Sequence, residues 1–489
     1  MELVGTLTSP SDLADLPSLT SSADWLEVRA DLVSQVDVDE LRERLDCRLL
    51  FTLRSEQEGG EYIGSLETRH ELLIAAASSF DAVDLEAERD LVPSVLDRVP
   101  PGGRIISWHG PPASVGALRE RLVSMRRVPA WMYKLVPAAV NIGDGFAPLE
   151  FLAQEEGDLV SFASGEAGGW TRPISCSLGS CLAYGSLMGR PGAPGQPSLS
   201  SLTDNYGLPT QPEAGSLYGI VGSPVGNSLS PRLHNAAYRA LGLDQLFVPF
   251  EPQTLGEFWR EVVQSTRLED LGLPLRGLAI TAPFKATALG LADVVDPVAI
   301  RSGGGNTMIR SEDGWRLTST DADGVLLPLG RRGIDPRGRR VFIAGAGGAG
   351  RATAVGFQAA GADVTLFNRT PERGERAAGE IGVPFRRLSE LDPAQSEIVV
   401  IALASREGAQ LPFDIRRMRP GAVVIDLVYG AGRAELVDTV PAGVFYVDGR
   451  EVLLFQALRQ FELMTGRELP AELGFRVLGL EPPNEGEVA

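Results

Sequence analysis

Residues 339–370 read RRVFIAGAGGAGRATAVGFQAAGADVTLFNRT: an apolar run, a turn of glycine and alanine, a helical stretch and a second apolar run. Few folds accept that order. Glycines in the turn let the chain reverse tightly and let a pyrophosphate approach the N-terminus of a helix over 350–360. The pattern therefore predicts a strand–helix–strand dinucleotide-binding unit within a Rossmann domain. Its second strand, VTLFN, ends in Asn368, Arg369 and Thr370. An acidic residue there would suit the ribose 2′-hydroxyl of NAD. Arg369, assisted by Arg373, suits a 2′-phosphate instead, so NADP is the expected cofactor. The cofactor-binding candidates are Gly345, Gly347, Gly348, Ala349, Gly350, Asn368, Arg369, Thr370, Arg373 and, farther along, Gly449.

The first half follows a different rhythm. Short apolar runs rich in β-branched and aromatic residues lie at 2–8, 25–30, 49–54, 82–88, 104–110, 130–137, 159–165 and 181–187, most of them separated by helical patterns. Eight such units predict a trimmed (β/α)₈ barrel. Charged residues interrupt the runs. Glu27 and Arg29 lie in the second, Arg54 ends the third with Glu58 after it, and His109 ends the fifth. Lys134 lies in the sixth, and Arg172 follows the seventh. Barrel active sites form where the carboxyl ends of the strands converge, and ionisable groups in apolar strands are costly unless paired or functional. Lys134 is the sharpest candidate. Apolar neighbours and nearby arginines would lower its pKa and free an amine for a Schiff base with a ketone.

Composition narrows the class. A chain of 489 residues suggests about three domains. A net charge of −19 argues against nucleic acid or an anionic membrane as partner. Three cysteines, Cys47, Cys176 and Cys181, make neither a disulfide framework nor a zinc site, so no metal is expected. The opening MELVGTLTSP lacks the features of a signal peptide, and no apolar run approaches membrane-spanning length. A cytoplasmic protein acting on small molecules is the expectation. His70 lies in a charged helical stretch and reads as solvated. His234 reads as structural or as part of a helix face.

Six short segments occur in order: EVR (27–29), TLRSEQEGG (52–60), SWH (107–109), YKL (133–135), WTR (170–172) and APGQ (193–196). Together they resemble the type I 3-dehydroquinate dehydratases over roughly residues 1–206. The resemblance implies that Lys134 forms the imine and that His109 moves the proton next to it. It also implies that Glu27, Arg29, Arg54, Glu58, Arg172 and Gln196 bind substrate or orient the histidine, with Arg172 as the carboxylate clamp. Gly192 stands where relatives often have Ser, removing one hydroxyl.

A second ordered set runs GSPVGNSLSPRLHN (222–235), ITAPFK (280–285), GGGNTMI (303–309), TSTDADG (318–324), the dinucleotide unit, DLVYG (426–430) and EVLLFQA from 451. It resembles the shikimate dehydrogenases over about 215–480. By that resemblance Ser228 and Ser230 hold the substrate carboxylate. Thr281, Asn306, Tyr429 and Gln456 bind the substrate, and Lys285 with Asp321 forms the catalytic pair. Departures fall at Asn227, Ala279, Ser319 and Glu451; the last belongs to a pattern shared with fused plant enzymes.

The expected architecture is α/β: a barrel over 1–206, a linker over 207–214 and a substrate-binding domain over 215–324 completed by 450–480. A Rossmann NADP-binding domain over 325–449 and a disordered tail over 481–489 complete it. The resemblance implies two consecutive reactions. 3-Dehydroquinate is dehydrated to 3-dehydroshikimate, which NADPH reduces to shikimate. A catabolic quinate/shikimate dehydrogenase, or a fusion with one regulatory half, are the alternatives.

Overall fold

The computed structural model describes residues 1–13, 16–33, 36–188, 191–210, 214–403, 411–429 and 434–481. Two units emerge: one of 1–217 with 224–275, the other of 218–223 with 276–489. The tail expected over 481–489 lies outside the described residues except for Glu481, as do 211–213 of the linker.

Eight strands open the first unit: β1 (Glu2–Leu7), β2 (Trp25–Arg29), β3 (Arg48–Thr52), β4 (Ala82–Glu86), β5 (Arg104–Gly110), β6 (Met132–Pro137), β7 (Leu159–Ser161) and β8 (Leu182–Ser186). They pair in the order β7-β6-β5-β4-β3-β2-β1-β8, and every ladder is parallel. The Cys181 N–H donates to the Leu159 carbonyl at 3.0 Å, drawing the two ends of the ring together. Alternation puts every second side chain inside. Val4, Leu50, Ala82, Ile105, Met132, Val160 and Leu182 pack together there. One step toward the carboxyl ends, the inward positions turn polar: Thr6, Glu27, Thr52, Asp84, Ser107 and Lys134 are all buried. Serines cap the outer helices: Ser65, Ser114 and Ser198 accept from the N–H groups of Thr68, Ala117 and Ser201.

Most strands are shorter than the apolar runs that mark them. Arg54 therefore does not end β3. It lies two residues beyond, in a loop closed by the bridge between Ser55 and Tyr62. His70 is not solvated either. Its Nε2 lies 3.0 Å from the Arg89 carbonyl, and only 17% of its side chain is exposed.

The next strands are β9 (Ser216–Val221), β10 (Gln245–Phe250), β11 (Leu275–Ile280), β12 (Val294–Val295), β13 (Thr307–Ser311) and β14 (Gly314–Thr318). In the first unit, Asn235 pins the helix Ser230–Leu241 to β10 by exchanging two hydrogen bonds with the Phe247 backbone. His234, on the same helix, stacks on Phe247 at 4.3 Å, as a core residue. In the second unit β9, β11, β13, β14 and β12 follow one another in one sheet.

Six parallel strands finish the chain: β15 (Arg340–Ala344), β16 (Asp363–Asn368), β17 (Phe385–Arg387), β18 (Ile398–Ile401), β19 (Val423–Asp426) and β20 (Phe445–Val447). Their order, β17-β16-β15-β18-β19-β20, is that of a doubly wound dinucleotide-binding sheet. The glycine turn lies at its switch point, between β15 and the helix Gly348–Ala359. The helix Gly449–Thr465, capped by Asp448, packs against the helix Asp323–Arg331. Among the described residues no helix is long and apolar enough to cross a membrane.

Candidate active sites

All eight residues singled out in the first half line one pocket at the carboxyl ends of the barrel strands: Glu27, Arg29, Arg54, Glu58, His109, Lys134, Arg172 and Gln196. Lys134 is buried within it. Its Nζ is 3.9 Å from Asp84 Oδ2 and 4.0 Å from the centre of the Tyr184 ring. Burial lowers its pKa, aided by Arg54 and Arg29 and opposed by Glu27 and Asp84. A fraction of unprotonated amine is therefore available for addition to a carbonyl.

His109 is held by one carboxylate. Glu58 Oε2 lies 3.1 Å from His109 Nδ1 and accepts the His109 backbone N–H at 3.0 Å. Burial pushes the Glu58 carboxyl up to about 8, against the pull of Arg54. It also drives the imidazole well below its usual range, with Arg54 and Lys134 adding to the effect. A neutral imidazole is the form that can accept a proton. A Glu58 carboxylate on Nδ1–H leaves the lone pair on Nε2, the form of the ring that can take up a proton.

The remaining groups are locked to one another. Glu27 accepts hydroxyl hydrogen bonds from Thr6 and Thr52, each at 2.9 Å. Arg29 forks onto Asp31 and donates to the Gly192 carbonyl. Arg54 reaches Asp84 and Ser107 at 2.9 Å, and Glu58 and Glu86 at 3.3 Å. Gln196 donates to Thr6 and accepts from the Gly192 N–H. A Cβ on Gly192 would lie 3.0–3.2 Å from Gln196, Thr6 and Arg29, so a serine would press on all three. Arg172 differs: it stacks over Phe162 at 4.3 Å, and its buried Nε has no hydrogen-bond partner. Burial lowers its pKa to about 10, opposed by Glu27. A cation left unsatisfied in a pocket suits an anionic ligand group.

The sequence reading missed Asp84 and Tyr184, both against Lys134. A usable sign existed for Asp84: β4 reads AVDLE, carboxylates two apart in an apolar strand, the pattern that exposed Glu27 and Arg29. Tyr184 had no such sign, because one tyrosine in a strand reads as core.

In the second unit, Lys285 Nζ donates to both Asp321 oxygens, at 2.8 and 2.7 Å. Asn306 donates to Asp321 Oδ1 at 3.0 Å and to Thr320 at 3.1 Å, and accepts the Thr320 N–H. Gln460, also missed, fixes this loop by donating to the Asn306 carbonyl and to Thr307. Glu451, a departure from the usual residue, forms a bidentate pair with Arg332 at 2.6 and 2.9 Å. Thr281 and Lys285 line a cleft of about 1570 Å³ together with Gly345, Gly347, Gly348, Ala349, Gly350, Asn368, Arg369, Thr370 and Arg373. Arg376 and Arg387 line it too, beyond the expected set. Tyr429 follows the lining residues Leu427 and Val428. Gln456 lies on the helix Gly449–Thr465, where a Cβ on Gly449 would meet the Val428 carbonyl at 2.4 Å. Ser228 and Ser230 belong to the first unit, where the Ser230 N–H donates to Ser228 Oγ at 3.2 Å.

The cleft fits a dinucleotide. Gly345 has φ of +119°, and a Cβ on Gly350 would lie 2.0 Å from the Gly345 carbonyl. Only glycines close that turn, and beyond it Gly347 opens onto free space. Asn368 ties β16 to the turn by accepting the Ala346 N–H at 3.2 Å.

Residues 5–212 match the family model for type I 3-dehydroquinase, and 220–308 that for the shikimate dehydrogenase substrate binding domain. Residues 340–430 match a model described as NADP oxidoreductase, coenzyme F420-dependent. Over 266 residues the chain is 38% identical to a shikimate dehydrogenase (NADP(+)) of Rubrobacter xylanophilus, covering 51% of this chain and 91% of the relative. A second such enzyme, from Natronomonas pharaonis, is 36% identical over 52% of this chain and 96% of its own length. The chain belongs to the shikimate dehydrogenase family, joined to a type I 3-dehydroquinase. The same union occurs in Arabidopsis thaliana. Its chloroplastic bifunctional 3-dehydroquinate dehydratase/shikimate dehydrogenase is 28% identical over 93% of this chain and 80% of its own length. The barrel is thus the dehydratase half, and the remainder the dehydrogenase half. Among the described residues no group of three or more His, Cys, Asp or Glu is placed to hold a metal ion.

Proposed function

We propose that the two halves catalyse consecutive steps, with the residues acting as follows. Lys134 adds to the ketone of 3-dehydroquinate and expels water to form an iminium. His109 then takes the neighbouring proton through Nε2, the iminium accepting the electron pair, and returns it to the departing hydroxide. Arg172 holds the substrate carboxylate, while Glu27, Arg29, Arg54 and Gln196 line the ring's binding site. Hydrolysis of the imine releases 3-dehydroshikimate. The observation that carries this reading is Lys134, its pKa lowered by burial, lining one pocket with an imidazole whose pKa is lowered beside Glu58.

In the dehydrogenase half, NADPH is the cofactor this cleft suits, since Arg369 and Arg373 can pair with a 2′-phosphate. Bound there, it would supply a hydride to the carbonyl carbon of 3-dehydroshikimate. Lys285 donates a proton or hydrogen bond to the developing alkoxide, and Asp321 holds Lys285 in place. Ser228 and Ser230 take the substrate carboxylate; Thr281, Asn306, Tyr429 and Gln456 take its remaining polar groups. The working boundaries are a dehydratase over 1–206 and a dehydrogenase from 215. Supplying 3-dehydroquinate and NADPH to the full chain should give enone absorbance, then loss of NADPH. Enone formation without NADPH loss would defeat the second assignment, and no enone the first.

A further inference from the structure

Arg172 needs external positioning. Among the described residues no carboxylate lies within ion-pair distance of it, and its Nε is unpartnered. Apart from its stack over Phe162, its aim is set by the backbone that carries it, the helix Thr171–Ser177. Two anchors hold the start of that helix. Thr171 Oγ1 accepts the Ala163 N–H at 2.9 Å and donates to the Gly168 carbonyl at 2.7 Å, both within the barrel. The other anchor is Trp170, which is 2% exposed. One side of its ring meets Phe146 of the barrel at 5.2 Å, and a Cβ on Gly145 would come within 2.7 Å of it. A second aromatic neighbour is Phe250, at the end of β10, at 5.5 Å. Phe250 belongs to the dehydrogenase half by sequence, and is backed there by Phe258 at 5.0 Å.

This contact is one point of a continuous seam. Arg267 of the same segment forks onto Glu150, 2.9 Å from Oε2, and lies 4.4 Å over Phe146. Glu257 accepts the Ile142 N–H at 3.1 Å. An aromatic cluster closed by a bidentate pair is a stiff support, since buried rings lock one another's rotamers.

We propose that Phe250 is a positioning residue for the dehydratase reaction: by covering Trp170 it fixes the turn that aims Arg172. The inference rests on the reading of Arg172 as the carboxylate clamp. The dehydratase site is then completed by a residue of the other half, and the fusion has a structural consequence beyond placing two enzymes on one chain.

The test uses the full chain and a double-mutant cycle on dehydratase kinetics. Phe250→Leu should raise KM for 3-dehydroquinate about 5- to 10-fold with kcat changed less than about twofold, because a loosened clamp loses ground-state binding. In an Arg172→Ala background the same change should alter KM by less than about twofold. Should Phe250→Leu fold poorly, Arg267→Ala loosens the seam from its surface and should show the same dependence on Arg172, at about two- to threefold. An unchanged KM in the single variants, or an equal rise with and without Arg172, overturns the proposal. If Arg172→Ala alone leaves KM unchanged, the clamp assignment itself is wrong, a separate and recognisable failure.

Discussion

Lys134 has 6% of its side chain exposed and its carboxylate partner Asp84 3.9 Å away, whereas Lys285 has 17% exposed and both Asp321 oxygens within 2.8 Å. In the reactions we propose, the two lysines serve opposite ends of proton chemistry. An amine that adds to a ketone must first lose its proton, so Lys134 is surrounded by burial and arginines, with its carboxylates held off. In the proposed reduction Lys285 supports a developing alkoxide, and both Asp321 oxygens hold its ammonium in place. The surroundings differ accordingly. The barrel mouth is a connected network in which Arg54 alone touches three carboxylates. The dehydrogenase centre is a small loop cluster beside a cleft shaped by glycines, where a bound dinucleotide would supply the hydride.

Substitutions at the two centres separate the two designs. Lys285→Ala should lower dehydrogenase kcat by about 10²- to 10⁴-fold, the scale of lost acid–base help, and leave dehydratase turnover intact. A loss of both activities in a folded variant would break the division. Next in size, Arg54→Met leaves Asp84, Glu58 and Glu86 facing one another. It should destabilise the barrel by about 3–5 kcal/mol, read from chemical unfolding. A stability change within about 0.5 kcal/mol would show that the network is not electrostatically coupled.

Arg369→Asp should weaken NADPH use by about 1.5–3 kcal/mol, roughly 10- to 150-fold in kcat/KM. Arg373, Arg376 and Arg387 still line the cleft, so part of the 2′-phosphate affinity should survive. Equal use of NADH and NADPH by the parent protein at low cofactor concentration would contradict the NADP reading.

The smallest effect is a pH limb confined to the dehydratase. In the proposed mechanism the His109 imidazole needs Glu58 as carboxylate on Nδ1–H, and burial raises Glu58 to about 8. Dehydratase kcat/KM should therefore rise with pH until about 8 and then level. Glu58→Gln can still accept Nδ1–H but does not titrate, so it should remove that limb. If the limb persists in Glu58→Gln, the titrating group is another, with Lys134 the first candidate.

Legibility in the sequence followed the range of the interactions involved. Strands and the glycine turn depend on local periodicity and backbone room, so eight barrel strands and the dinucleotide unit were readable. Their ends were not, because pairing with neighbours decides where a ladder stops. Arg54 was read as ending β3 yet lies in a loop. Of the eight candidate residues at the barrel mouth, seven were legible because they interrupt apolar strands or come after them in the loops; Gln196 was read only through the resemblance carried by APGQ. Arg376 and Arg387 were not, because an arginine on a helix or at an edge strand looks like surface until the sheet order brings it to the cleft. His70 misled for the converse reason: its charged neighbours suggested solvent, but Arg89 and Asp90 fold over it. Phe250 gave no sign at all, since its partner Trp170 is eighty residues away in sequence.

The central claim is the unprotonated amine at the barrel mouth. Borohydride added with 3-dehydroquinate should reduce the imine to a stable secondary amine. Peptide mapping should place the adduct on Lys134, with dehydratase activity lost and reduction of 3-dehydroshikimate retained. His109→Ala should still permit trapping, because imine formation precedes proton abstraction. An adduct on another lysine, or no adduct while dehydration proceeds, would contradict the Schiff-base assignment.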